Sequence, residues 1–189
     1  MFALSDYAYD LPESLIADQP EKARDASRLL CLDRQSGTLA HRVFADVEDL
    51  LAPGDLLVMN NTRVIPARLY GAKDTGGRVE ILLLDYVGGM TRHRAGDPFE
   101  CECLIRASKH PKPGSRIHVG PDVTAEVVAS NRNIHTLRFH GTGDFDQLLD
   151  ALGRMPLPPY IKRDEHDARS AEDKQRYQTV YASEKGAVA

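Results

Sequence analysis

Nine consecutive residues, Asn60-Asn61-Thr62-Arg63-Val64-Ile65-Pro66-Ala67-Arg68, place two amides, a hydroxyl and two guanidiniums directly after the apolar run Leu56-Leu57-Val58-Met59. A compact apolar run of this kind predicts a strand buried on both faces, and in α/β sheets ligands bind beyond the carboxyl ends of such strands. Donors clustered there suit a polar, anionic or nucleoside substrate. The same residues would equally form an Asx-type turn into the next strand with both arginines in solvent, and local mechanics weigh the two readings alike.

Three further segments carry chemistry-bearing groups. Thr75-Gly76-Gly77-Arg78-Val79-Glu80 lets backbone approach a ligand, with Glu80 as a carboxylate for a cationic substrate; taken alone it reads first as a hairpin turn. Arg106, Lys109 and Lys112 lie in a Pro- and Gly-bearing hairpin suited to phosphates, or else to plain solvation. Arg176-Tyr177-Gln178-Thr179-Val180-Tyr181 alternates polar and aromatic groups, so Tyr177, Gln178 and Thr179 offer stacking and hydrogen bonds to a base, with partly buried strand tyrosines as the alternative. Gly141-Thr142-Gly143 lacks the third glycine of a dinucleotide loop and is assigned to helix capping. No Ser-His-Asp, activated-cysteine or metal constellation emerges from the spacing.

Composition narrows the class. The 189 residues are 42% hydrophobic, enough for a sizeable core, and 28% charged without a long apolar run. That argues against a membrane-spanning helix or a secretory signal, so a cytoplasmic protein is expected. Cys31, Cys101 and Cys103 form an odd set, and the last two alternate on one strand, which predicts reduced, buried thiols. The net charge of -4 gives no global argument for nucleic acid. Residues 90–120 are nevertheless locally basic, with Arg92, Arg94, Arg106, Lys109, Lys112 and Arg116 against Asp97, Glu100 and Glu102.

The elements that must position these groups follow from pattern. Asp10, Pro12 and Glu13 predict a capped helix start, residues 28–33 and 39–44 a hairpin, and Asp46 a short helix through Leu51. Extended segments at 68–72, 79–85, 99–106, 116–119, 125–129 and 136–139 succeed one another, separated by glycine and proline turns that include Val87-Gly88-Gly89. Successive short strands without an intervening helix predict a small closed sheet, because closure removes exposed edges. A helix begins at Asp144, carries Leu148, Leu149 and Leu152 on one side and ends at Gly153, whereas residues 177–181 look extended. The fold class expected is α/β, an incomplete α/β domain with an inserted small antiparallel β-barrel. Residues 1–70 form its first part, 71–142 the barrel and 143–189 the return to the α/β domain.

Taken in order, these segments resemble the S-adenosylmethionine:tRNA ribosyltransferase-isomerase family of queuosine biosynthesis. The motifs that carry the resemblance are Asp10-Leu11-Pro12, Ser27-Arg28-Leu29-Leu30, Pro53-Gly54-Asp55-Leu56, residues 60–69, Gly76-Gly77 with Val79-Glu80, and Arg106-Ala107-Ser108-Lys109 with Lys112-Pro113-Gly114. Met155-Pro156-Leu157-Pro158-Pro159-Tyr160-Ile161 and Tyr177-Gln178-Thr179-Val180-Tyr181 with Gly186-Ala187-Val188-Ala189 complete the set. The resemblance covers essentially all of this chain but only about the first half of a family member, so the isolated chain is expected to be an inactive fragment.

The family implies an α/β domain interrupted by a β-barrel. It also implies transfer and isomerisation of the ribosyl moiety of S-adenosylmethionine onto 7-aminomethyl-7-deazaguanine at the tRNA wobble position, giving epoxyqueuosine and releasing adenine and methionine. No metal, cofactor beyond S-adenosylmethionine, membrane or obligate protein partner is implied. Within that reaction Arg63 and Glu80 are the catalytic candidates. Asn60, Asn61, Thr62, Arg68, Gly76, Gly77, Tyr177, Gln178 and Thr179 are candidates for substrate binding, and Arg106, Lys109 and Lys112 for tRNA. The competing expectation is a noncatalytic RNA-binding β-barrel.

Overall fold

The structure is a computed structural model that describes residues 3–94, 97–141, 143–158, 160–161 and 170–187. Thr142, Pro159 and the terminal pair Val188 and Ala189, all parts of motifs named above, lie outside the described residues. The chain divides into two compact units, residues 1–58 with 159–162 and residues 59–158 with 163–189.

In the first unit the expected hairpin is present as antiparallel strands β1 (Arg28–Leu32) and β2 (Leu39–Val43). Its turn is organised by Asp33, whose carboxylate accepts from the backbone amides of Gln35 and Ser36 at 2.9 and 2.7 Å. Those donors hold the Asp33 carboxyl below the usual carboxylate range. The helix expected from Asp10 shrinks to a three-residue 3-10 turn, Glu13–Leu15, without a side-chain cap. A turn that buries no residue has nothing to offset its nucleation cost. Likewise the helix expected from Asp46 is a 3-10 segment, Phe44–Leu50.

The buried strand expected at residues 56–59 is not formed. Leu56 and Val58 are 88% and 85% exposed, and no strand among the described residues pairs with them. An apolar run becomes a strand only where a neighbour accepts and donates its backbone hydrogen bonds.

The second unit is built around a closed six-stranded barrel. Its strands are β4 (Arg68–Lys73), β5 (Arg78–Leu83), β6 (Glu100–Ala107), β7 (Arg116–Gly120), β8 (Val123–Asn131) and β9 (Ile134–His140). They close in the order β4-β5-β6-β9-β8-β7, with every neighbouring pair antiparallel. Alternation sends Leu69, Val79, Ile81, Cys101, Cys103, Ile117, Val127 and Leu137 inward, so the interior is a packed core. Cys101 and Cys103 are buried free thiols, as expected, and burial pushes the Cys103 thiol up.

Where a turn was expected at Val87-Gly88-Gly89 the chain forms helix α1 (Tyr86–Arg94). The glycines serve close packing there: a Cβ on Gly89 would sit 2.8 Å from the Glu100 carbonyl and 2.9 Å from the Phe99 ring. Helix α2 (Phe145–Leu152) follows the barrel as expected, with the Asp144 carboxylate accepting from the amides of Asp146 and Gln147. It inserts Phe145 into one mouth of the barrel, stacked on Phe99 with ring centroids 3.5 Å apart and set edge-on to Phe139 at 5.0 Å. Helix α3 (Ser170–Arg176) and strand β10 (Glu184–Gly186) complete the unit, and β10 pairs in parallel with β3 (Thr62–Val64). Residues 177–181, expected to be extended, turn instead, with the Ala182 amide donating to the Thr179 carbonyl.

Register gives the barrel two distinct ends. The connections 74–77, 108–115 and 132–133 lie at one end, termed the distal end. The connections 84–99 and 121–122, the entry from β3 and the exit to α2 lie at the other, the proximal end.

Candidate functional site

At the proximal end the parallel pair β3 and β10 gathers one group of the expected site residues. Asn61 anchors the start of β10: its carbonyl accepts from the amides of Ser183 and Glu184, and its side chain accepts from the Ser183 amide at 3.1 Å and donates to Ser183 Oγ at 2.9 Å. Asn60 Oδ1 accepts from the Thr62 amide at 2.9 Å. Gln178 bonds both polar groups of Val64, accepting from its amide at 3.0 Å and donating to its carbonyl at 2.5 Å. Side-chain amides thus satisfy the edge of β3 that β10 leaves open, which is how a three-residue strand persists without a second neighbouring strand among the described residues.

Arg63 differs from these. It lies on the exposed face of β3, its register partner is Lys185, and it has no ion-pair or hydrogen-bond partner among the described residues. Thr179 and Tyr177 follow α3 close in sequence to Gln178, with the Tyr177 amide donating to the Asp173 carbonyl and its ring 37% exposed.

Arg68 and Glu80 meet on the outer barrel wall. Arg68 Nε lies 3.2 Å from Glu80 Oε1, an ion pair by distance without the angle of a hydrogen bond, while its Nη2 donates to the Leu157 carbonyl at 3.1 Å. Backbone bonds to Arg154 in both directions fix Arg68 further. Glu80 stands in register between Tyr70 and Arg106. Gly76 and Gly77 do not join this group. They form the distal β4–β5 turn, where the +80° φ of Gly76 requires glycine, and they lie at the same end as Lys109 and Lys112.

Two groups escaped the reading from sequence. Asp146 receives the Tyr86 hydroxyl on Oδ1 and Lys185 Nζ on Oδ2 at 2.9 Å. Burial raises the Asp146 carboxyl, but donation from Lys185 and Tyr86 outweighs it and holds the group below its ordinary range; Tyr86 is pushed up by burial and by Asp146. Separations of 39 and 60 residues leave no local pattern to signal this cluster. His135, 3% exposed, fills the distal mouth of the barrel; its Nδ1 bonds Ser130 Oγ at 2.9 Å, its Nε2 has no hydrogen-bond partner among the described residues, and its ring lies parallel to that of His110 at 5.9 Å. Burial, then the His110 charge, lowers its pKa. Among the described residues no group of three or more His, Cys, Asp or Glu is placed to hold a metal ion, and no helix is long and apolar enough to cross a membrane.

Residues 4–189 match the family described as queuosine biosynthesis protein. A protein of Citrifermentans bemidjiense named S-adenosylmethionine:tRNA ribosyltransferase-isomerase is 50% identical over 186 residues, covering 98% of this chain and 51% of that protein. Proteins of the same name from Trichlorobacter lovleyi and Syntrophotalea carbinolica are 44% and 46% identical over 187 residues, with the same coverage. The crystal structure of an S-adenosylmethionine tRNA ribosyltransferase from Thermotoga maritima is 34% identical and aligns over 77% of this chain and 47% of that chain with a TM-score of 0.37. The chain spans about half the length of the curated relatives it matches.

Proposed function

The chain belongs to the queuosine biosynthesis protein family, and on that premise we propose that it is part of a cytoplasmic S-adenosylmethionine:tRNA ribosyltransferase-isomerase. The reaction moves the ribosyl moiety of S-adenosylmethionine onto 7-aminomethyl-7-deazaguanine in tRNA and isomerises it to epoxyqueuosine, with adenine and methionine leaving. Similarity of 44–50% to relatives bearing that name, across 98% of the chain, carries the reading. S-adenosylmethionine serves as co-substrate, and tRNA with a deazaguanine at the wobble position is the partner.

The sulfonium of S-adenosylmethionine acidifies the adjoining ribose carbon, so the site needs a base there, a donor for departing adenine and a cation for the amino-acid carboxylate. Arg63, solvent-facing and unengaged on β3, supports the last task. Asn60, Asn61, Thr62, Tyr177, Gln178 and Thr179 shape the surface around it. Arg68 holds Glu80 near the substrate amine or sulfonium; at the distal end Gly76 and Gly77 give close backbone approach to the tRNA, and Arg106, Lys109 and Lys112 take its phosphates. The parallel β3–β10 pair is read as part of the interrupted α/β domain, with the barrel, whose strands run from Arg68 to His140, inserted in it. Coverage of about half of each relative and the exposed run at 56–59 support the reading that the isolated chain does not turn over.

The deciding experiment is adenine release from S-adenosylmethionine with tRNA carrying the deazaguanine, run on this chain and on one extended to the relatives' full length. Release by the extended chain alone is expected. The basic distal end favours one second reading, a noncatalytic RNA-binding barrel; tRNA binding with no adenine release from either chain would establish it.

A further inference from the structure

The distal end of the barrel carries a surface that the reaction chemistry does not use. Its three connections, with the strand ends beside them, present Arg78, Arg106, Lys109, Lys112, Arg116 and Arg132, all exposed and none in an ion pair among the described residues. Elsewhere on this unit several cations are paired, Arg68 on Glu80, Arg92 on Asp85, Arg138 on Glu100 and Lys185 on Asp146, and the unpaired ones such as Arg63 are scattered. Asp74, the acid of the distal connections, lies 2.6 Å from His118. The proximal connections instead hold Asp85, Asp97 and Asp122 against Arg92 and Arg94, with Arg92 neutralised on Asp85. Charge is therefore sorted along the barrel axis, with its positive pole at the distal end.

That pole is built rigidly. Lys73 Nζ donates to the Lys109 carbonyl at 2.9 Å and joins the β4–β5 turn to the 108–115 loop. On its other side the loop is tied to β8, with the Gly114 amide donating to the Val127 carbonyl at 2.8 Å and the Val127 amide to the Ser115 carbonyl at 3.0 Å. Pro111 is buried, and the His110 ring lies parallel to His135 in the barrel mouth. Arg132, at a φ of +52°, stands in the β8–β9 turn, which borders a recess of about 430 Å³ flanked by Asn131 and Asn133. Large apolar groups exposed nearby are, among the described residues, Tyr70, Leu104 and Ile134, too few to seat a protein partner.

We propose that this distal end is the docking surface for the sugar-phosphate backbone of the RNA substrate. The proposal rests on the preceding reading that the substrate is RNA. Unpaired cations held in place by backbone bonds match a polyanion, and they fix its position without reading its bases. A strand of six residues rises about 20 Å at roughly 3.3 Å per residue. The docking surface is thus separated from Arg63 by several nucleotides of backbone, so the RNA body is held at one end while the reacting nucleotide reaches the other.

The test is binding of labelled tRNA by the 189-residue chain, followed by fluorescence anisotropy across a salt series, with circular dichroism as the check on folding. Lys109→Gln with Lys112→Gln, and separately Arg78→Gln with Arg132→Gln, are expected to lower the slope of log affinity against log salt by about 0.7 to 0.9 per charge removed. Arg34→Gln with Arg42→Gln, on the first unit, leaves the slope unchanged. Rim variants that keep the parent slope, a control that falls as far as they do, or a parent chain that binds no tRNA would each overturn the proposal. In the extended enzyme the same rim variants raise the KM for tRNA and leave kcat intact. Adenine release by that enzyme with no response to the rim variants would sink the docking surface and spare the catalytic reading. Rim-dependent binding without adenine release would do the reverse.

Discussion

Gln178 commits both ends of its side-chain amide to the backbone of Val64, occupying the amide nitrogen at 3.0 Å and the carbonyl at 2.5 Å across 114 residues of sequence. The side chain takes the place of a missing neighbouring strand. Gln178→Ala should strand two polar groups at a buried position and lower stability by about 2 kcal/mol in urea unfolding. Gln178→Glu, which cannot donate to the carbonyl, should restore little of it. An unchanged midpoint would mean that Gln178 serves a ligand and not the fold.

Arg63 should behave in the opposite way. Because it is exposed and unpaired, Arg63→Gln is expected to shift stability by no more than about 0.5 kcal/mol. In the extended enzyme it should still raise the KM for S-adenosylmethionine or cut turnover. Intact kinetics with both substrates would remove Arg63 from the site.

The Arg68–Glu80 pair is half-buried and geometrically imperfect. A double-mutant cycle with Arg68→Gln and Glu80→Gln should give a coupling of about 1 kcal/mol, at the upper edge of exposed pairs. A coupling indistinguishable from zero would show that Arg68 is held by Leu157 and Arg154 alone.

Phe145 closes the proximal mouth between Phe99 and Phe139. Phe145→Ala should cost about 3–5 kcal/mol and lower Tm accordingly. Phe145→Leu, which keeps most of the volume, should recover more than half. A loss under about 1 kcal/mol would mean that the mouth refills without the ring.

His135 gives the structure a pH dependence whose sign is fixed. Burial keeps the folded-state imidazole pKa below its ordinary 6.5, so as pH falls through 6.5 the unfolded chain takes up a proton that the folded chain refuses. Its neutral form therefore contributes stability that is intact above 6.5 and declines toward the lowered folded pKa. His135→Phe should flatten that part of the stability profile; a parallel profile for parent and variant would assign the dependence to other groups.

Much of the barrel was legible because its strands alternate strictly. Val79, Ile81 and Leu83 point inward while Arg78, Glu80 and Leu82 do not, and a period of two survives any local context. Gly88 and Gly89 misled because glycine marks both a turn and a close approach, and only the Phe99 ring beside Gly89 distinguishes them. Strand β10 was invisible because Glu184, Lys185 and Gly186 have no apolar pattern; the strand exists through Asn61 and its hold on Ser183. Residues 56–59 show the converse, a strand-like composition with no partner strand among the described residues. Of the site candidates, the cluster around Thr62 was legible as a unit. Its separation from Gly76 and Gly77 follows from barrel register, which no local spacing encodes.

The parallel register of β3 and β10 has a kinetic meaning. Thr62 opposes Glu184, so zipping the pair from a disordered chain would close a loop of about 120 residues, at an entropic cost near 4 kcal/mol by the logarithmic scaling of loop length. Three short rungs do not repay that early. Once the barrel has formed, its entry and exit emerge at the same end, and the loop to be closed contracts to residues 65–67 on one side and 141–183 on the other. The barrel is thus the template and the β3–β10 pair the last clasp to engage, the segment where hydrogen exchange should report opening before the strands of the barrel do.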